Sequence, residues 1–178
     1  MNDLRCQLTD RMMQVFGDDR RRIDHALEVL GYADQIRACD GGDETVVTAS
    51  AILHDIGIQA AERKHGSSAG VYQEIEGPAI AEPILRCLGL DEPRLTQICR
   101  IIGSHHTCRD CRIAATPEFR VLWDADRIAN IPEETAGKTS AQLHRYVELA
   151  FRTAAGRQMG RQRLLGQTSN PPEVPDAR

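Results

Sequence analysis

Apolar residues recur along this chain at helical rather than strand spacing. A first amphipathic stretch covers residues 2–16. A second runs from about 18 to 39, with Ile23, Ala26, Leu27, Leu30 and Ala33 in a 3.6-residue rhythm. Gly41-Gly42 then breaks the chain. Residues 44–55 are nearly all small or apolar, including Val46, Val47, Ala49, Ala51, Ile52 and Leu53. Such a segment predicts a central helix buried on most sides, ended by Gly57. A polar stretch follows from Gln59 to Ser68. Gly77-Pro78 opens the next predicted helix, with proline in the first turn where its missing N–H costs least. Its stripe is Ile80, Ile84, Leu85 and Leu88. Another helix is predicted from Asp91 to about His106, on Leu95, Ile98, Cys99 and Ile102. A loop with two cysteines leads to Pro117 and a helix through about Ile131. A last long helix begins near Ser140, with Leu143, Val147, Ala150, Phe151 and Ala154 on one face. The tail from Gly166, with Pro171-Pro172 and Pro175, is expected to be disordered. No segment alternates with period 2 between turn signals. The predicted fold is therefore all-α: a single helical bundle forming one domain over residues 1–165, with a tail over 166–178.

Composition fits this picture. Aromatic residues make up only 4%, so the core must be built mainly from Leu, Ile, Val and Ala, which favours packed helices. At 178 residues one sizeable core can be buried. The net charge of −4 argues against a nucleic-acid partner, whose footprint is a basic patch or stripe. Arg20-Arg21-Arg22 follows Asp18-Asp19 and reads as a solvated helix start rather than a phosphate grip. No apolar run approaches the roughly 20 residues that span a bilayer, and the first residues lack a signal-peptide core. No membrane partner and a cytoplasmic location are expected, and the oligomeric state is left open. The six cysteines are too scattered for a disulfide framework and read as small core residues.

Candidate chemistry centres on His54-Asp55. A charged pair at the end of an apolar helix is costly unless it is paired, hydrogen-bonded or bound to a metal. One divalent cation, held by an imidazole and a carboxylate, accounts for both; a capping Asp beside a C-terminal His is the bland alternative. Further histidines shift the balance. His25 lies beside the stripe of Leu27 and Leu30. His105 and His106 extend the buried faces set by Ile98, Cys99 and Ile102. Three helices each delivering histidine toward the core are hard to explain without a metal. A carboxylate in Trp123-Asp124-Ala125-Asp126-Arg127 would complete the site, and periodicity does not choose between the two aspartates. Cys108-Arg109-Asp110-Cys111 follows the paired histidines; one such motif reads as incidental thiols more readily than as a redox pair or zinc half-site.

The order His25, His54-Asp55, His105-His106, Asp126 resembles the HD superfamily of metal-dependent phosphohydrolases. Ala51-Ile52-Leu53-His54-Asp55-Ile56-Gly57 is similar to its central motif, and Leu122 to Ile128 to its last, where the second aspartate is the ligand. The resemblance covers roughly residues 20–131. It implies that His25, His54, Asp55 and Asp126 bind one ion, with His54 and Asp55 at the catalytic heart. Two-metal members bridge their ions through the equivalent of Asp55. They add the paired histidines and another ligand before the following helix, where this chain has Glu76. One or two divalent ions are thus implied, with Mn, Fe, Zn, Ni, Co and Mg not distinguished. Alternatively, Glu76 merely favours a helix N-terminus. The implied substrate is a small phosphoester, nucleotide-like, with Arg127, Lys64 and His65 as candidate contacts; Arg127 reads as readily as a surface salt-bridge arginine, and Lys64 and His65 read more readily as a plain solvated loop. Ile58 stands where several nucleotidase relatives carry Glu and phosphodiesterase relatives Lys, so neither specific activity carries over. Two rivals follow: a diiron oxygenase of the same superfamily, and a non-catalytic, metal-stabilised sensor or binding module.

Overall fold

The computed structural model describes residues 2–166. Among these there are helices and no strand, as the spacing predicts: α1 (Asn2–Phe16), α2 (Arg20–Asp40), α3 (Glu44–Leu53), α4 (Ile58–His65), α5 (Gly70–Cys87), α6 (Glu92–Ile102), α7 (Cys111–Ala114), α8 (Pro117–Ala129), α9 (Ile131–Thr135), α10 (Ser140–Ala150) and α11 (Ala154–Leu165). The fold is all-α. None of these helices is long and apolar enough to cross a membrane. The expected disorder of the tail concerns residues 167–178, which lie outside the described residues.

Helix α3 is the hub. Every residue from Val46 to Leu53 is buried, and α3 packs on α1, α2, α6 and α8. Asp43 starts it, its carboxylate accepting the N–H of Val46 at 3.1 Å. The core around α3 is aliphatic, with Leu8, Ile23, Val47, Ile52, Ile98 and Ile102 among its members. That leaves the C-terminal end of α3 pointing at the junction of α2, α5, α8 and the turn after α6.

Several boundaries differ from expectation, each for a local reason. Helix α3 stops at Leu53, so His54 and Asp55 stand on the turn that follows. The polar stretch after Gln59 contains a helix, α4; its buried face is only Ala60 and Ala61, too slight a stripe to stand out. Helix α5 begins at Gly70, not at Gly77-Pro78, and carries Pro78 and Pro83 inside it. Proline in a helix interior costs about 3 kcal/mol, but Gln73, Glu74, Glu76 and Gly77 are buried along this face, and tertiary packing outweighs propensity. Helix α6 ends at Ile102, placing His105 and His106 on the next turn. The single last helix is two, broken at Phe151–Thr153. There Asp124 draws the N–H groups of Arg152 and Thr153 out of helical bonding, at 2.8 and 2.7 Å. Thr153 then caps α11 through the N–H of Gly156.

Candidate metal centre

Four segments deliver polar side chains to one place. His25 comes from α2, His54 and Asp55 from the end of α3, His105 and His106 from the turn after α6, and Asp126 from α8. Their ligand-type atoms form two groups, His25, His54 and Asp126, and Asp55, His105 and His106, each within 4.8 Å among themselves. Asp55 stands between the groups. Its Oδ2 lies 3.4 Å from His54 Nε2 and 3.8 Å from His25 Nε2. Its Oδ1 lies 3.5 Å from His105 Nε2 and 3.8 Å from His106 Nε2.

The backbone sets the tautomers. His54 Nδ1 donates to the carbonyl of Ala51 at 2.9 Å, and His105 Nδ1 to that of Ile102 at 2.7 Å. The same device, a histidine three residues past a helix-end carbonyl, thus occurs twice. With Nδ1 donating to the backbone, each Nε2 faces the centre and is the nitrogen that can give its lone pair to an ion once it carries no proton. His54 Nε2, His105 Nε2 and Asp55 Oδ1 are buried and have no hydrogen-bond partner among the described residues. Each such orphan costs about 1–3 kcal/mol. One divalent cation per group would satisfy all three, and imidazole with carboxylate is a donor set suited to such ions. The residues present fit a metal.

Asp126 is held for this role by its neighbours. His25 Nε2 sits 3.1 Å from its Oδ1, and Asn130 Nδ2 donates to the same oxygen at 2.8 Å. Asp124 has the other task described above, tying α8 to the start of α11. Burial pushes the Asp124 carboxyl up, against the pull of the Arg152 and Thr153 N–H groups. Geometry thus separates two aspartates that periodicity could not.

Charges in the centre are strongly interlocked. Burial alone would strip the proton from His54, but Asp55 and Asp126 outweigh it and raise its pKa well above the usual value. Burial likewise opposes ionisation of Asp55, yet His54 and His105 hold its carboxyl well below the carboxylate range. His106 is pushed down to about 4 by burial and by the neighbouring His105, which leaves it neutral at pH 7. A cleft of about 670 Å³ opens onto His25, Asp55, His106 and Asp126. Its wall carries seven carboxylates against two guanidinium groups.

The HD domain family model matches residues 22–131, a span holding every one of these side chains. The chain belongs to the HD domain family. A solved structure, that of a predicted HD superfamily hydrolase from an uncultured Thermotogales bacterium, is 26% identical, with a TM-score of 0.62. The likeness covers 88% of this chain and 82% of that one. No curated protein matches the chain.

Within this HD domain the other sequence candidates lie outside the two ligand groups. Glu76 belongs to neither ligand group. Its carboxylate accepts from Lys64 Nζ at 2.5 Å and faces His65 Nε2 at 2.9 Å, so all three turn to the α4–α5 contact and none lines the cleft. The residue of α5 that does reach the second group is Gln73, one turn earlier, with Oε1 3.4 Å from His106 Nε2. Arg127 pairs with Glu134 at 2.8 Å and lies over the Trp123 ring, outside the cleft. The motif Cys108 to Cys111 holds two free thiols and contributes to neither group; burial raises the Cys108 thiol.

Two positioning residues and one arginine of the cleft carry no sequence signal strong enough to have been singled out. Glu74, buried in α5, accepts the N–H groups of His106 and Thr107 at 2.9 and 2.7 Å and pins the histidine turn. Gly70 lets the His106 ring lie against α5: a Cβ there would stand 2.6 Å from His106 Cδ2. Arg21 lines the cleft from α2, although its arginine run reads as a solvated helix start.

Proposed function

We propose that this HD domain is a metal-dependent phosphohydrolase, cleaving a phosphomonoester or phosphodiester of a small, nucleotide-like molecule with activated water. The observation that carries this reading is Asp55, set between two ligand groups with one oxygen toward each. His25, His54 and Asp126 would hold one ion, His105 and His106 a second, and Asp55 both. When bound, such ions lower the pKa of water toward neutrality and polarise a phosphoryl oxygen. His54 and Asp55 are the residues on which the chemistry depends. Residues 1–165 would act as one unit, because α2, α3, α6 and α8 each supply part of the site. The description of the Thermotogales neighbour as a hydrolase supports the same class.

The protein side of the reaction follows from charge. The cleft is too acidic to attract a phosphate while its metal ligands are empty-handed. Arg21 lies four residues before His25, on the same face of α2, and among the described residues no carboxylate pairs with it. Its neighbour Arg22 is tied to Asp19 and Glu62 at 2.8 and 2.6 Å. Arg21 is therefore the cleft cation free to meet a substrate phosphate. The oxygenase alternative drew on Glu76, His105 and His106 as added ligands; Glu76 faces Lys64 and His65 and drops out of that set, while His105 and His106 stay in it.

The test is a hydrolysis assay on a generic phosphoester and a nucleotide panel with Mn²⁺, Co²⁺, Ni²⁺ and Mg²⁺. Turnover with at least one ion, abolished by Asp55→Ala, is expected. Full activity in Asp55→Ala, or no turnover with any ion, would reject the proposal.

A further inference from the structure

A second cavity, of about 520 Å³, opens between α8 and α10. None of the metal-ligand candidates lines it. Its wall carries four cations: Arg127 from α8, Lys138 from the loop before α10, Arg145 from α10, and Arg152 from the α10–α11 link. Among the described residues no carboxylate lines it. The whole chain carries a net charge of −4, so this concentration runs against the overall balance. It is also the reverse of the acidic cleft at the metal centre.

Two of the four cations, Arg127 and Arg152, are held in place, and among the described residues only Arg127 has a carboxylate partner. The guanidinium carbon of Arg152 lies 4.1 Å from the Trp123 ring centroid and that of Arg127 4.4 Å, so one indole anchors both. Arg127 has Glu134 as a partner, but Glu134 is shared with the Tyr146 hydroxyl at 2.7 Å, and Arg127 Nε is buried with no partner. Among the described residues no carboxylate pairs with Lys138, Arg145 or Arg152. Like charges gathered this way repel unless an anion sits among them. Beside them Tyr146, Ala150 and Leu149, the last 72% exposed, offer an apolar flank.

We propose that this pocket binds a small phosphorylated molecule, one or more phosphate groups with a flat apolar portion, at a site separate from the metal centre. Guanidinium forks match phosphate oxygens in pairs, and the ammonium of Lys138 adds a point charge. The volume falls in the range of small-ligand pockets. The phosphates lie among Lys138, Arg145 and Arg152, and the apolar portion against Tyr146 and Leu149. The proposal does not rest on the hydrolase reading, because no residue of the ligand groups takes part.

Trp123 is the only tryptophan in the chain and stands in the pocket wall, so its fluorescence reports occupancy. Full-length protein, stripped of metal and then freed of chelator, is titrated with pyrophosphate and separately with ATP. A saturable change in fluorescence is expected for at least one probe, weakening as salt is raised. In a Lys138→Glu/Arg145→Glu variant, both positions exposed and the fold checked by circular dichroism, Kd rises about tenfold or more. Asp55→Ala leaves the titration unchanged. No saturable change with either probe, confirmed by calorimetry, overturns the proposal. So does a titration that survives the charge reversal but is lost in Asp55→Ala, which would place the anion at the metal centre.

Discussion

His54 Nε2 lies 3.4 Å from one carboxylate, Asp55, and 3.6 Å from a second, Asp126. In metal-free protein these carboxylates keep the ring protonated above its ordinary pKa of 6.5. A raised histidine pKa contributes stability that is fully present below 6.5 and fades as pH climbs through the folded-state value. The lowered Asp55 contributes stability above 3.8 that fades as pH falls. Metal-free protein should therefore melt at progressively lower temperature as pH rises past about 6.5. An ion must displace the His54 proton, so metal affinity should rise over the same interval. Melting curves with and without Mn²⁺ between about pH 6.5 and 8, above the range in which the lowered His106 adds stability as pH rises, check both signs; a metal-free Tm that climbs across this interval would contradict them. Gly70→Ala is a second test at this scale. Its Cβ would displace the His106 ring and should weaken the second ion by about 10–100-fold while sparing the first; equal affinities for both ions in the variant would show that the ring position does not matter. The candidate ligands themselves were legible because histidine and aspartate are conspicuous among aliphatic neighbours. Gln73, Glu74 and Gly70 were not, since an amide, a surface-type carboxylate and a glycine acquire meaning only once α5 is laid against the turn after α6.

At the level of elements, α3 and the joint between α8 and α11 do most to hold the site. Asp43 caps α3, and its carboxyl is lowered first of all by the hydrogen bonds from Arg94. Asp43→Ala should cost about 1 kcal/mol in chemical denaturation, and the loss should vanish in acid, where Asp43 is protonated even in the folded state. Gly156 admits Asp124 to the start of α11: a Cβ would stand 2.7 Å from Asp124 Cβ. Gly156→Ala should destabilise by about 1–3 kcal/mol through overpacking, whereas a neutral result would mean that α11 can shift freely on α8. Helices α1, α2, α3 and α8 were readable because each carries a full apolar face or a clear cap. The short α4 and the early start of α5 were not. Two alanines make a weak stripe, and interior prolines read as boundaries until tertiary contacts are known to override them.

Across the whole molecule, charge is sorted by face. An acidic cleft surrounds the His–Asp centre, and a basic, aromatic-walled pocket lies between α8 and α10. The family was legible from the order of four motifs, because each motif falls at a helix end or a helix face that the spacing already predicts. The basic pocket was not, because its cations come from four segments with no common pattern. The proposed function requires that Asp55 serve two ions. Calorimetric titration of metal-free protein with Mn²⁺, in buffers of different ionisation enthalpy, measures this in one experiment. The expected result is two binding steps of unequal affinity, the weaker at the group completed only by the neutral Gln73, with proton release, and both lost in a folded Asp55→Ala variant. Unaltered Mn²⁺ binding by Asp55→Ala would contradict it.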